Sequence, residues 1–77
     1  MKLKVIAFAH AKKVLGFDSI ELDYSPEDTP RKLLMDWESK IKELPPTRIA
    51  IDEEFHDWDE PIGDAREMAI LPPVSGG

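Results

Sequence analysis

A chain of 77 residues is enough for one domain, and a domain of this size buries only about 60% of the surface that its unfolded chain exposes, so we expect no deep, enclosed active site. The absence of cysteine excludes disulfide bonds, thiolate metal sites and a cysteine nucleophile. Sixteen acidic residues against ten basic ones give a net charge of −6, which argues against a nucleic-acid partner because phosphate binding needs a basic face.

The N-terminal segment 2–9 alternates as a β-strand does. Leu3 and Val5 fall on one face, whereas Ile6 and Phe8 fall on the other. Two interpretations of Phe8 stay open at this point, packing at the edge of the sheet and contact with a partner protein. The segment does not have the pattern of a signal peptide, and no apolar run approaches membrane length, so we expect no membrane association and a cytoplasmic location.

The later elements are predicted from the same periodicities and from capping residues. In chain order they are a short helix over 10–15 capped by Gly16, a strand over 19–24, one long helix over 30–44 between Thr29-Pro30 and Pro45-Pro46, a strand over 48–52, a short strand or turn over 55–58, and a last strand over 67–71. In the last strand Met68 and Ile70 point inward, and Ala69 and Leu71 point outward. Strands around a single long helix predict an α+β roll, with the helix on one sheet face and the other face open to partners.

An acidic stretch covers residues 52–60, where six of nine positions are aspartate or glutamate. The simplest interpretation is a solvated loop. The alternatives are a docking patch for a basic partner, which would use Glu53, Glu54 and Asp57, or a metal site that includes His56. One histidine among carboxylates has no diagnostic ligand spacing, so we expect no metal.

The last residues form a tail with a stiff base and a thin tip. Pro72-Pro73 favours an extended path, and the five residues from Pro73 onward can reach about 16 Å. Glycine has no Cβ, so the groups of another enzyme can approach the carboxylate of Gly77 closely. ATP can convert that carboxylate into an acyl-adenylate, from which a sulfur nucleophile, a lysine or a cysteine can displace AMP. The alternative interpretation is an ordinary frayed terminus.

Several motifs together resemble one protein family. They are Phe8-Ala9 after the first strand, Leu15-Gly16, Thr29 with Leu33-Leu34, Asp59-Glu60-Pro61-Ile62, and the terminal run Ala69-Ile70-Leu71-Pro72-Pro73-Val74-Ser75-Gly76-Gly77. Over its whole length the sequence resembles the ubiquitin-like sulfur carriers of the MoaD type, the small subunits of molybdopterin synthase. The resemblance implies a β-grasp (ubiquitin-like) roll with a mixed sheet packed on one main helix. It further implies a domain over residues 1–72 and a flexible carrier tail over residues 73–77.

The resemblance also implies a function. An E1-like enzyme that uses ATP would adenylate Gly77, next to Gly76, and a sulfurtransferase would supply the sulfur of a Gly77 thiocarboxylate. The large subunit of molybdopterin synthase would then receive the tail, in a heterotetramer, and pass the sulfur to a cyclic pyranopterin. The chain would be non-catalytic alone and would bind no cofactor and no metal. By motif position the partner-binding residues would be Phe8, Phe55, Leu71, Pro72, Pro73, Val74 and Ser75.

Other functions stay open. Carriers for thiamine synthesis or tRNA thiolation, and protein modifiers conjugated to lysines through Gly77, share the fold and the Gly-Gly end. A third class is a non-catalytic interaction domain that docks through the acidic 52–60 stretch.

Overall fold

In a computed structural model, residues 1–43 and 46–71 can be described, and they form a five-stranded sheet with short helical segments. The elements are β1 (Lys2–Ala7), α1 (Ala9–Leu15), β2 (Ser19–Asp23), α2 (Pro30–Leu33), a 3₁₀ turn (Met35–Trp37), α3 (Glu38–Lys42), β3 (Arg48–Ile51), β4 (Glu54–His56) and β5 (Glu67–Leu71). Predictions for Leu44, Pro45 and the tail 72–77 lie outside the described residues. Within the described ranges, no helix is long and apolar enough to span a membrane.

The sheet is mixed, with the strand order β2-β1-β5-β3-β4. Its two central strands, β1 and β5, run parallel, and the other neighbours pair antiparallel. The first and last segments of the domain therefore lie side by side in the middle of the sheet. This arrangement confirms the predicted α+β roll and places β5 in the centre of the sheet rather than at an edge.

One face of the sheet forms the hydrophobic core with the helical segments. The fully buried side chains of the sheet include Leu3, Val5, Ile49, Met68 and Ile70. The predicted inward orientation of Met68 and Ile70 is thus confirmed. Because alternate residues on a strand face opposite ways, the neighbours of these residues form the second, open face.

The prediction of one continuous helix over 30–44 is wrong. The chain forms α2, then the 3₁₀ turn, then α3, which ends at Lys42. Leu34 (φ −97°, ψ 20°) and Trp37 (φ −108°, ψ 10°) leave helical geometry at the two breaks. Trp37 meets the Phe17 ring edge-on at 5.7 Å between centroids, and Leu34 is buried, so tertiary packing holds both residues where the helix is interrupted.

The predicted caps are observed. The Oγ1 atom of Thr29 accepts a hydrogen bond of 3.1 Å from the Lys32 N–H, with Pro30 in the first helical position. Gly16 ends α1 in the left-handed region at φ 85°, and its N–H donates to the Lys12 carbonyl.

Candidate functional site

A row of small and apolar side chains crosses the open face of the sheet. The strand registers pair Ile6 with Ala69, Ala69 with Ala50, and Ala50 with Phe55. These four residues therefore lie side by side on β1, β5, β3 and β4. Two alanines occupy the middle of the row, so the row is lower at its centre than at its Phe55 end.

Larger side chains surround these alanines and form a shallow depression, the open-face patch. It is lined by Phe8, Ala50, Glu53, Phe55, Glu67, Ala69 and Leu71. Phe8 is 47% exposed and Phe55 is 64% exposed, and both are among the largest exposed apolar side chains of the described chain. An apolar depression with aromatic rims is suited to receive an apolar side chain of another protein.

Phe8 follows β1 directly, since this strand ends at Ala7. Phe8 is the extended residue before α1 (φ −114°, ψ 150°), and its N–H donates a long hydrogen bond of 3.4 Å to the Ile70 carbonyl. The predicted strand over 2–9 is therefore too long by two residues. The predicted outward orientation of Phe8 is confirmed, and its ring lines the patch together with Leu71, the last residue of β5.

A tight two-residue turn joins β3 to β4 at one end of the patch. Both turn residues, Asp52 (φ 49°) and Glu53 (φ 72°), have positive φ, as expected for the turn class that favours Asn-Gly. The Asp52 carboxylate accepts hydrogen bonds from the Arg66 N–H (3.1 Å) and the Glu67 N–H (3.0 Å). Asp52 thus connects the turn to the start of β5.

At the other end of the patch lies a cation. Arg48 pairs with Leu71 in the register of β3 and β5, and its Cζ atom lies 3.9 Å from the ring centroid of Phe55. Such a cation–π contact contributes about 0.5–1 kcal/mol at an exposed site. Arg48 thereby connects the Phe55 ring on β4 to Leu71, where β5 ends.

With this geometry established, comparisons with known proteins identify the family. The sequence pattern of the ThiS family matches residues 5–77.

The chain belongs to the ThiS family.

Two relatives agree with this assignment over their length. The molybdopterin synthase sulfur carrier subunit of Dictyostelium discoideum is 34% identical over 83 residues, which covers 99% of this chain and 96% of that protein. The protein of the same name from Arabidopsis thaliana is 30% identical over 81 residues, which covers 100% of this chain and 84% of that protein. The predicted resemblance to the molybdopterin synthase small subunits is therefore confirmed.

Solved structures agree with the fold of this ThiS-family chain. SAMP1 from Haloferax volcanii superposes with a TM-score of 0.77 at 19% identity, over 100% of both chains. A putative molybdopterin converting factor, subunit 1, from Pyrococcus furiosus gives 0.73 at 22% identity, over 96% of this chain and 99% of that one. The ubiquitin of Caldiarchaeum subterraneum gives 0.60 at 21% identity, over 100% and 98%. These likenesses concern the fold, and they confirm the predicted ubiquitin-like β-grasp.

Three of the predicted partner-binding residues of the ThiS-family chain come together. Phe8, Phe55 and Leu71, which are 63 positions apart in sequence at their extremes, line one depression. The other predicted site residues, Pro72, Pro73, Val74, Ser75, Gly76 and Gly77, lie outside the described residues. Sequence reasoning named Glu53 only as part of an acidic docking patch, and it missed Arg48, Ala50 and Glu67 as members of the site. The alternation of Arg48 and Ala50 with buried Ile49 and Ile51 is the signal that places them on the open face.

The acidic stretch has local structural roles besides its charge. Asp52 holds the turn, Asp57 accepts a hydrogen bond from the Asp59 N–H, and Asp59 pairs with Arg31 at 2.7 Å. That hydrogen bond from the Arg31 guanidinium holds the pKa of Asp59 below its ordinary value. The Nε2 atom of His56 lies 3.0 Å from the Glu60 carbonyl oxygen. In the part of the chain that the structure describes, no group of three or more acidic or histidine side chains is placed to hold a metal ion.

Proposed function

We propose that this chain is the sulfur carrier of molybdopterin synthesis and that its C-terminal Gly77 carries the sulfur as a thiocarboxylate. Membership of the ThiS family and the names of the two relatives support the carrier role. The observation that carries the proposal further is the open-face patch. It lies where β5 ends at Leu71, so a protein that covers the patch is next to the start of the tail.

The proposed reaction begins on a partner. An E1-like enzyme transfers the adenylyl group of ATP to the Gly77 carboxylate and releases pyrophosphate. The outer sulfur of a persulfide on a sulfurtransferase then attacks the carbonyl carbon and displaces AMP. A second thiol of the partner reduces the resulting acyl disulfide, which releases the thiocarboxylate and leaves a disulfide on the donor. Activation is needed because a free carboxylate has no adequate leaving group. The ATP is used by the enzyme, and the carrier contributes the reacting carbonyl.

In the second half of the proposed cycle the large subunit of molybdopterin synthase receives the tail. The sulfur passes to a cyclic pyranopterin, and the carrier returns to its carboxylate form by exchange with oxygen from water. The two subunits together form the enzyme, in the heterotetramer of the family, and the reaction takes place in the cytoplasm. Phe8, Phe55 and Leu71 provide the apolar contact that holds the partner while Pro72 to Gly77 enters its active site.

Mass spectrometry of the intact carrier tests the loading step. We expect incubation with the E1-like enzyme, ATP and a sulfur donor to raise the carrier mass by one exchange of oxygen for sulfur. Removing ATP prevents the change, and deleting Gly77 abolishes it while the circular dichroism spectrum stays that of the folded domain. A Gly77-deleted carrier that still supports molybdopterin formation would contradict the proposal. Adducts on lysines of other proteins that resist reducing agent, without any thiocarboxylate, would indicate a protein modifier instead.

A further inference from the structure

The open-face patch has side chains of opposite charge at its two ends along β3. Glu53 and Glu67 line the end at the β3–β4 turn, and Arg48 stands beside Leu71 at the other end. Five positions along the chain separate Arg48 from Glu53, and the four steps from Arg48 to the start of the turn span about 13 Å at about 3.3 Å per residue. The two ends are thus far enough apart to meet different side chains of one partner.

The Arg48 guanidinium is positioned to bind an anion. Stacking on the Phe55 ring at 3.9 Å restricts the guanidinium, and a stacked guanidinium keeps the N–H donors at its edge available. Among residues 1–43 and 46–71, no carboxylate forms an ion pair with Arg48 within 4.0 Å. A restrained, unneutralised guanidinium beside an apolar surface suits a bidentate contact with a carboxylate from outside the chain.

Glu53 is held in an unfavourable backbone conformation. At φ 72° it has the left-handed geometry that favours glycine or asparagine, and its neighbour Asp52 already supplies the hydrogen bonds that fix the turn. Within the described chain, the Glu53 carboxylate is exposed and forms neither a hydrogen bond nor an ion pair that would offset this cost. The β3–β4 pairing and the Asp52 hydrogen bonds hold this conformation, and they leave the exposed Glu53 carboxylate available to a group of another molecule.

From these two observations we infer that the charge polarity of the patch selects and orients the partner that takes the tail. The partner surface presents an apolar side chain to Ala50 and Ala69, a basic side chain to Glu53, and a carboxylate to Arg48. Glu67 already has Lys4 as its cross-strand neighbour on this face. The wrong orientation would place like charges opposite each other at both ends. Arg48 is beside Leu71, where β5 ends. The orientation that pairs Arg48 with the partner carboxylate therefore directs the tail toward the side of the partner that carries this carboxylate. This inference rests on the proposed function, in which the partner is the molybdopterin synthase large subunit.

Calorimetric titration of the large subunit from the same organism with charge-reversed carriers tests the inference. Arg48→Glu and Glu53→Lys are each expected to weaken binding at least about tenfold at low salt, and the loss should shrink in high salt because exposed charges are screened. The matched controls Lys40→Glu and Asp36→Lys make the same charge changes at exposed positions on the helical side and should bind like the wild type.

A further variant separates a docking role of Glu53 from a structural one. Glu53→Gly relieves the backbone strain and removes the carboxylate, so it should raise the denaturation midpoint and weaken binding at the same time. If both charge reversals bind like their controls while Phe55→Ser does not, the proposed docking stands and the inference about polarity is overturned. If the wild-type carrier does not bind the large subunit at all, the proposed function and the inference both fail.

Discussion

The Tyr24 hydroxyl group fixes the loop that leads into β5. Its ring is buried, and its Oη atom accepts a hydrogen bond of 2.8 Å from the Ala65 N–H. The same oxygen lies 2.9 Å from the Ala65 carbonyl oxygen and 3.0 Å from the Gly63 carbonyl oxygen, and these two acceptors share its one hydrogen. The loop before β5 is therefore fixed to the residue that follows β2. This places the start of β5 beside the turn that contains Glu53.

We predict that Tyr24→Phe lowers the free energy of unfolding by about 1–3 kcal/mol, because it leaves the buried Ala65 N–H without an acceptor. Urea denaturation followed by circular dichroism measures the difference. Leu22→Val, which shortens a half-buried side chain on β2 two residues before Tyr24, is a control for the general sensitivity of this region and should cost less. A Tyr24→Phe variant with the wild-type midpoint would show that the hydroxyl does not hold the loop.

At the scale of the element, the strands are more predictable than the helical region. Alternation places Met68 and Ile70 inward because a period of two is the same wherever a strand lies in the sheet. The helical period places Leu34 and Trp37 toward the core, yet it does not distinguish an α-helix from one interrupted by a 3₁₀ turn, since both bring residues three or four apart to one side. The breaks depend on the packing of Trp37 against Phe17, which comes from another element.

The candidate site likewise contains some residues that the sequence predicts and some that it does not. Phe8, Phe55 and Leu71 are predictable from the motifs that the family shares and from strand parity. Arg48 and Glu53 are not, because their roles depend on the β3–β4 register, which brings the guanidinium over Phe55, and on the positive φ values of the turn. Neither the register nor the turn class is encoded in a short window of sequence, and Asp52-Glu53 lacks the glycine that usually marks such a turn.

The segment that contains α2 is tied to the acidic stretch through one ion pair. The Arg31 side chain donates to Asp59 and lies 5.9 Å from the Trp58 ring centroid, and its N–H donates to the Trp58 carbonyl. The hydrogen bond from Arg31 lowers the pKa of Asp59, and the Ser25 N–H lowers the pKa of Asp28. A carboxylate with a lowered pKa in the folded state stabilises the fold above its ordinary pKa, and that contribution is lost as the pH falls through the lowered value.

We therefore predict that acid destabilises the wild type below the ordinary aspartate pKa of 3.8 and that Asp59→Asn makes this decline less steep. Thermal unfolding between neutral and acidic pH provides the comparison. Arg31→Gln removes the cause of the shift, so it should flatten the profile to the same extent, and the double variant should add nothing further. Additive effects of the two substitutions would show that the pair is not the source of the pH dependence.

At the scale of the whole molecule, the hydrophobic core and the proposed docking surface lie on opposite faces of one sheet. The inner face buries Leu3, Val5 and Ile49 against the helical segments, whereas Phe8 and Phe55 are exposed on the outer side. In a domain of 8.7 kDa the sheet is the principal scaffold, and its central strand β5 contributes side chains to both faces. Side chains on the outer face should therefore be replaceable with little effect on folding and a large effect on binding.

Phe55→Ser tests this separation, because the Phe55 ring is 64% exposed and stands on the edge strand β4. We expect the free energy of unfolding to fall by no more than about 1 kcal/mol, mainly through the lost contact with Arg48. Binding to the molybdopterin synthase large subunit should weaken by about 2 kcal/mol, the loss typical of truncating an aromatic side chain that a partner covers. Met35→Ser is the matched control, since Met35 is 62% exposed but lies in the 3₁₀ turn on the helical side. Titration calorimetry and urea denaturation of both variants measure the two quantities. Equal losses of affinity in the two variants would mean that exposure of an apolar side chain anywhere, rather than the open-face patch, governs association.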